Sequence, residues 1–136
     1  MRRRSLLLGF PLLVAAIARA AKDSLRGRLK PQSDGTPALL TAGGKLILVE
    51  GDEPTSGVLR DKRLAGADME VAGSLVEPGR FVIDPIHTRS LFVHKNGKRL
   101  FVTYWCEVCA IRTYTPGLCM CCQQETQLDL RESIGP

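Results

Sequence analysis

Two closely spaced pairs of cysteines constrain this chain more than any other sequence feature. Cys106 and Cys109 form one Cys-x-x-Cys pair, Cys119 and Cys122 form a second, and nine residues separate the pairs. A short loop of this kind lets two thiolates turn toward one point. Two such loops joined by a hairpin would supply four soft sulfur ligands, which suit tetrahedral Zn²⁺. The spacing therefore predicts a metal site formed by these four cysteines.

The residues around the second pair add to this prediction. Pro116-Gly117 precedes it and is typical of a type II turn. A fifth cysteine, Cys121, lies inside the pair beside Cys122 and is an alternative ligand. Four protein thiolates would close the coordination sphere and leave no position for a substrate or an activated water. We therefore expect a structural metal ion, and a protein that is not an enzyme.

The same thiols leave other chemistries open. Cysteines of exported proteins usually pair as disulfides, but five cannot all pair within one chain, and a bridge between Cys121 and Cys122 would be strained. A thiol–disulfide redox site is a second alternative, although the helical context that activates such cysteines is missing. Four thiolates could also hold Cu⁺ or an iron–sulfur cluster.

The N-terminus predicts export. Residues 2–4 are all arginine, an apolar run extends from Leu6 to Ala18, and Ala18-Arg19-Ala20 has the small-x-small pattern that signal peptidase cleaves. We therefore predict a signal peptide over residues 1–20 and a periplasmic or secreted protein, exported by the Sec or the twin-arginine route. The apolar run is shorter than the about 20 residues of a membrane span; an uncleaved anchor is the alternative.

Removing that segment changes the charge of the chain. The full sequence has 19 Lys and Arg against 14 Asp and Glu, a net charge of +5. Four arginines belong to the predicted signal, which leaves 15 against 14 and a net charge of +1. Nucleic-acid binding draws its affinity from a strongly basic surface, so no nucleic-acid partner is expected.

The mature chain has the pattern of a mainly β domain, with short apolar segments separated by Gly and Pro. Asn96-Gly97 is the strongest hairpin signal, because a type I′ turn needs two residues that tolerate positive φ. One short helix is predicted over Gly57–Ala67, and Glu53-Pro54 is interpreted as a turn. The predicted strands are Leu25–Lys30, Ala38–Leu40, Lys45–Glu50, Glu70–Val76, Arg80–Asp84, Ser90–Lys95 and Lys98–Trp105.

The apolar and glycine spacing over residues 25–90 is similar to that of small exported bacterial proteins with an OB-like barrel. Its segments are Lys45–Asp52, Leu64–Gly73 and Phe81–Ile83. The resemblance implies a fold and no activity. The predicted organisation is therefore an OB-like barrel over residues 21–95, followed by a cysteine-rich hairpin of zinc-ribbon type over residues 96–136.

A second resemblance covers the cysteine segment. Tyr104-x-Cys106-x-x-Cys109, then Pro116-Gly117-x-Cys119-x-x-Cys122, resembles the small heavy-metal-binding ribbon of bacterial copper and heavy-metal efflux proteins. The resemblance implies that three of these cysteines are ligands and that Cys109 stands where that family has His. This chain departs from the pattern at four points: Glu107 replaces a Pro, the spacer is one residue shorter, Gln123-Gln124 replace Gly-Met, and Cys121 is extra.

Two histidines lie near the predicted boundary between barrel and hairpin. His87 and His94 are each a candidate metal ligand or proton carrier, although a hydrogen-bonded surface role is the more ordinary interpretation. The sequence thus predicts a small exported zinc protein that serves as a binding or interaction module, with another exported protein as partner. The alternative is a periplasmic protein that handles heavy metals or exchanges disulfides.

Overall fold

A computed structural model describes residues 23–134 of the chain. The predicted signal peptide over residues 1–20 and its cleavage lie outside the described residues. One helix, α1, spans Glu53–Leu59, and single 3-10 turns span Lys62–Leu64 and His87–Arg89. The strands are β1 (Asp23–Pro31), β2 (Pro37–Leu40), β3 (Leu46–Glu50), β4 (Asp68–Glu77), β5 (Arg80–Ile83), β6 (Leu91–Lys95), β7 (Lys98–Cys106), β8 (Ile111–Thr113) and β9 (Gln127–Arg131).

The first five strands close a barrel in the order β1-β2-β3-β5-β4-β1. Only the β3–β5 pair among them is parallel. The long first strand closes the barrel because its two halves pair with different partners: Arg28 to Pro31 with β2, and Asp23 to Arg28 with β4. A five-stranded Greek-key barrel of this kind is the OB architecture. The predicted mainly β fold with an OB-like barrel is confirmed.

Gly73 lies where β4 leaves its pairing with β1 and begins to pair with β5. A Cβ atom at this position would lie 1.9 Å from the carbonyl oxygen of Val82 and 2.9 Å from Cα of Ile83. Both contacts are with backbone, which cannot rotate away as a flexible side chain can. The tight crossing of the two strands therefore requires glycine.

The predicted helix over Gly57–Ala67 is misplaced. The helix begins earlier because the Asp52 carboxylate accepts hydrogen bonds from the backbone N–H of Thr55 and from its hydroxyl, at 3.1 and 2.6 Å. Pro54 therefore lies in the first turn of α1, where its missing N–H costs nothing, and Glu53-Pro54 is not a separate turn. The chain then starts a separate 3-10 turn, because Asp61 accepts from the N–H of Arg63.

The last four strands continue the barrel's sheet into a ribbon. Strand β6 pairs with β4 of the barrel and with β7, and β7 pairs further with β8 and β9. The predicted β6–β7 turn is confirmed: Asn96 and Gly97 have φ of 54° and 74°. Strands β8 and β9 were not predicted.

The barrel and the ribbon share one hydrophobic core. Val102 and Tyr104 of β7 are buried in the same cluster as residues of the barrel and of α1. The barrel side of this core includes Leu29, Leu39, Val49, Val58, Leu59, Met69, Val71 and Phe81. Any change in the ribbon strand β7 is therefore transmitted to the barrel by direct packing. Within residues 23–134, no helix is both long enough and apolar enough to cross a membrane.

Gly73→Ala tests the strand crossing. We expect it to lower the free energy of unfolding by about 3 kcal/mol, because the new methyl group overlaps backbone atoms. Gly57→Ala is the matched control: it lies inside α1, has nothing within 4 Å of its Cβ position, and should stabilise by about 0.5–1 kcal/mol. Urea denaturation followed by circular dichroism measures both. A Gly73→Ala variant as stable as the wild type would contradict this barrel geometry.

Candidate metal centre

The structure brings the four predicted ligands together. The sulfur atoms of Cys106, Cys109, Cys119 and Cys122 all lie within 4.8 Å of one another. The Cys106 and Cys122 sulfurs are 3.5 Å apart, and all five cysteines are free thiols. Sulfurs at about 2.3 Å from a tetrahedral zinc ion are about 3.8 Å from each other. The four side chains can therefore hold a metal ion with little rearrangement.

The first pair occupies the turn between β7 and β8. Cys106 is the last residue of β7, and its sulfur accepts a hydrogen bond from the backbone N–H of Cys109 at 3.4 Å. Ala110 follows with φ of 53°, a left-handed conformation that reverses the chain. Ile111 then starts β8 and pairs with Cys106. The pairing of the two strands thus fixes the ends of the loop that carries both sulfurs.

The second pair repeats this geometry without a long strand on either side. The sulfur of Cys119 accepts from the N–H of Cys121 at 3.4 Å, and Gln123 has φ of 62°. The ends of the loop are closed by backbone bonds from the N–H of Gln123 to Cys119 and from the N–H of Cys119 to Gln124, at 2.9 and 2.8 Å. Both loops therefore end in a left-handed residue immediately after the second cysteine.

Hydrogen bonding shifts the pKa values of two clustered thiols in opposite directions. The backbone N–H groups of Cys122 and Cys121 bond to the sulfur of Cys119 and lower its pKa to about 7. The Cys109 thiol shares a hydrogen bond with the Cys121 side chain and is partly desolvated, and both effects raise its pKa. Cys119 is therefore readily available as a thiolate, the form that binds metal.

A network of partly buried side chains connects the candidate metal centre to the barrel. The hydroxyl of Tyr104, two residues before Cys106, donates to Asp61 at 2.9 Å. Arg63 forms an ion pair with Asp61 at 3.0 Å and donates to the carbonyl of Thr126 at 2.8 Å. Burial first, and then the Asp61 carboxylate, raise the pKa of Tyr104, so its phenol remains a hydrogen-bond donor. The turn between α1 and β4 thus contacts chain segments on both sides of the cysteine loops.

A second network holds the ribbon strands together. Arg112 of β8 donates to the hydroxyl of Thr103 on β7 and to Asp129 on β9, both at 2.7 Å. Its guanidinium lies 4.7 Å from the centre of the Trp105 ring. One side chain therefore links all three strands, and its stacking on the indole adds a cation–π attraction.

Neither predicted histidine joins the sulfur cluster. The His87 ring Nε2 lies 2.7 Å from the carbonyl oxygen of Tyr114, in the segment that connects the two cysteine pairs. The His94 ring Nε2 lies 3.0 Å from the carboxylate of Glu70. The hydrogen-bonded interpretation thus describes both side chains. His87 contributes to the site indirectly, by fastening the connecting segment to the barrel side of the molecule.

Sequence reasoning missed the residues that position the site. Asp61 and Tyr104 are 43 positions apart, and Arg63 and Thr126 are 63 apart. Spacing patterns report only local relations, so they carry no signal for these contacts. The one available signal was Asp61 itself: an Asp two residues before Arg63 in a short polar run is typical of a helical cap.

Comparisons with known proteins give no relative for this chain. No protein-family model, no curated protein and no solved structure matches it. Neither resemblance proposed from the sequence therefore has a matching family behind it.

Gln123→Gly tests the second cysteine loop. A left-handed conformation costs a residue with a Cβ atom about 1 kcal/mol relative to glycine, so we expect the variant to be about 1 kcal/mol more stable. Ala110→Gly should stabilise the protein by a similar amount, because Ala110 has the left-handed conformation in the first loop. Gln124→Gly is the control, since φ at Gln124 is not positive, and should be neutral or slightly destabilising. Thermal unfolding measures the stability of the three variants. An equal change in stability for Gln123→Gly and Gln124→Gly would contradict the loop geometry.

Tyr104→Phe tests the connection between barrel and metal centre. The variant keeps the ring in the core but removes the hydrogen bond to a charged carboxylate, so we expect a loss of about 1.5–3 kcal/mol. Tyr114→Phe is the matched control, because its hydroxyl makes no hydrogen bond within residues 23–134, and should change stability by less than about 0.5 kcal/mol. Denaturant unfolding measures both variants. An equal loss in the free energy of unfolding for Tyr104→Phe and Tyr114→Phe would contradict the proposed connection.

Proposed function

We propose that this protein is an exported metal-binding module in which Zn²⁺, held by Cys106, Cys109, Cys119 and Cys122, has a structural role. The ion would fasten the cysteine ribbon to the OB-like barrel, and the assembled domain would bind another exported protein without catalysing a reaction. The observation that carries this proposal is the convergence of four sulfurs from two loops within 4.8 Å.

The burial of the cluster supports a structural role. Cys106 and Cys119 are buried, and Cys109 and Cys122 are half-buried. Four thiolates complete a tetrahedral shell, whereas catalytic zinc keeps one position for water or substrate. Because the sulfurs converge only in the folded chain, the free energy of metal binding adds directly to the free energy of folding.

The ligand chemistry supports zinc among the metals considered. Four thiolates in a tetrahedral arrangement are typical of zinc or of iron–sulfur sites. Zinc has no redox chemistry and no geometric preference from d electrons, so it accepts the sulfur positions that the two loops impose. Cu⁺ and an iron–sulfur cluster remain the alternatives for the same four side chains.

One observation supports the second candidate function, a metal-handling or thiol-redox role. Cys121 is exposed, and its backbone N–H donates to the sulfur of Cys119 at 3.4 Å. A free thiol beside a metal ligand can exchange with it, which a permanently closed structural site does not require. The following experiment separates the two functions.

Native mass spectrometry and thiol counting test the proposal together. Protein purified under mild conditions should carry one zinc ion and show five titratable thiols after denaturation with a chelator. Cys119→Ser should lose the ion, because it removes a buried ligand, whereas Cys121→Ser, the matched control in the same loop, should retain it. Two disulfides and no metal would refute the zinc proposal and support the redox alternative.

Metal removal should destabilise the whole domain, because Tyr104 belongs to the shared core. With free zinc at 100 times the dissociation constant, the folded state gains about 2.7 kcal/mol. Trp105, the only tryptophan in the chain, reports the ribbon by fluorescence, and far-ultraviolet circular dichroism reports mainly the barrel. We expect both thermal transitions to coincide and to rise together when zinc is added. A barrel transition whose midpoint temperature does not change when zinc is added would contradict the shared core.

A further inference from the structure

The three most exposed large apolar side chains lie beside the clustered cysteines. Val108, Leu118 and Met120 are 71, 65 and 87% exposed, whereas the other exposed large apolar residues in the described part of the chain reach at most 59%. Val108 directly precedes Cys109, and the other two flank Cys119 in the sequence. Single exposed apolar residues are ordinary, but several at one place mark an interaction surface.

The sulfur geometry places these three side chains at one end of the ribbon. Consecutive Cα atoms are about 3.8 Å apart, and each of the three residues is a direct chain neighbour of a clustered cysteine. The sulfurs of those cysteines all lie within 4.8 Å of one another. The two loops therefore present Val108, Leu118 and Met120 as one apolar surface, which we call the ribbon tip.

The ribbon tip is surrounded by negative charge. Glu107 lies in the first loop and Glu125 follows the second, and both are exposed. Arg112 is the one basic residue in the segment 106–126, and it forms an ion pair with Asp129 at 2.7 Å. In the proposed metal-bound form the cluster adds further negative charge, because four thiolate charges exceed the charge of a divalent ion.

A groove beside the ribbon tip has the same character. Its volume is about 340 Å³, and it is lined by residues of α1 and of the segment that connects the cysteine pairs: Glu53, Pro54, Gly57, Thr115 and Pro116. Since Pro116 is two residues before Leu118, the groove lies next to the tip. Its one charged lining residue is Glu53, which is exposed.

We propose that the ribbon tip docks a partner protein through a segment that combines apolar side chains with lysine or arginine. The proposal rests on the proposed metal-binding function and names the surface and the partner chemistry for it. Apolar side chains of the partner cover the ribbon tip, and its cations lie beside Glu107, Glu125 and Glu53. Complementary charge of this kind gives an interface its specificity and speeds association.

The same charges argue against two other occupants. An anionic membrane surface attracts basic segments, so it repels an apolar tip that is surrounded by carboxylates. A second copy of this chain, docked tip to tip, would bring Glu107 and Glu125 against their own counterparts, and like charges facing each other across an interface cost several kcal/mol. A basic protein segment meets neither obstacle.

Phage display of short random peptides tests the proposal, with the zinc-loaded full chain as the target. We expect the selected peptides to be enriched in lysine or arginine together with apolar residues. One selected peptide, labelled with a fluorophore, then serves as the probe for the variants by fluorescence anisotropy. Val108→Ser/Met120→Ser should bind it at least about tenfold more weakly.

The matched control for this variant is Leu46→Ser/Leu75→Ser. It changes two exposed apolar side chains of the barrel strands, which are 44 and 53% exposed. Because these residues are not part of the ribbon tip, peptide affinity should change by less than about twofold. All four substitutions are at exposed positions, so both variants should fold and retain zinc.

The charge contribution is tested separately. Glu107→Gln/Glu125→Gln should weaken peptide binding several-fold at low salt and make it less sensitive to added salt, because salt screens exposed charges. Glu77→Gln/Glu132→Gln is the matched control. It removes two exposed carboxylates, one on β4 and one that pairs with Lys98 at the end of β7 opposite the cysteines, and it should leave peptide binding unchanged.

Four results would overturn the docking proposal: selection of acidic peptides, equal loss of affinity in the two serine double variants, binding to vesicles of phosphatidylcholine and phosphatidylglycerol, or a dimer that Val108→Ser/Met120→Ser abolishes. Native mass spectrometry of the same protein separates the two proposals. A zinc-loaded wild type that selects no peptide would overturn the docking proposal alone. A wild type that neither carries nor takes up zinc would overturn the proposed function, on which the docking proposal rests.

Discussion

Four sulfur atoms confined within 4.8 Å of one another are the constraint on which this structure depends. Thiolates at such separations repel one another, and thiols offer only weak hydrogen bonds in return. A divalent cation bound at their centre would turn that repulsion into attraction and make the crowded arrangement favourable. The two loops are shaped for it: each directs a backbone N–H at a sulfur, and each accepts the cost of a left-handed residue, Ala110 or Gln123.

The loops can hold this geometry because the barrel supports them. Tyr104 lies in the common core, and its hydroxyl bonds to Asp61 in the turn between α1 and β4. Arg63 of the same turn reaches the carbonyl of Thr126, beyond the second cysteine pair. Strand β7 therefore contributes to both parts of the molecule, since its buried side chains complete the core and its last residue, Cys106, is the first cysteine of the sulfur cluster.

Local sequence signals predicted what is locally determined. The barrel strands, the Asn96-Gly97 turn and the convergence of the four cysteines all follow from spacing and turn chemistry. The predicted position of the helix is wrong because Asp52 caps the N-terminus of α1. This local interaction outweighs the apolar spacing further along the chain, from which the helix was predicted. Strands β8 and β9 are short and depend on pairing with β7, and the Asp61 contacts join distant positions. Such features come from tertiary packing, for which a single sequence has no periodic signal.

The central claim is that the four clustered thiolates bind one zinc ion. X-ray absorption at the zinc edge of the purified full chain tests it most directly, because it counts the ligand atoms and measures their distance from the metal. We expect four sulfur ligands at about 2.3 Å from the zinc ion. Nitrogen or oxygen atoms in the first coordination shell, or no bound zinc in protein with fully reduced cysteines, would contradict it.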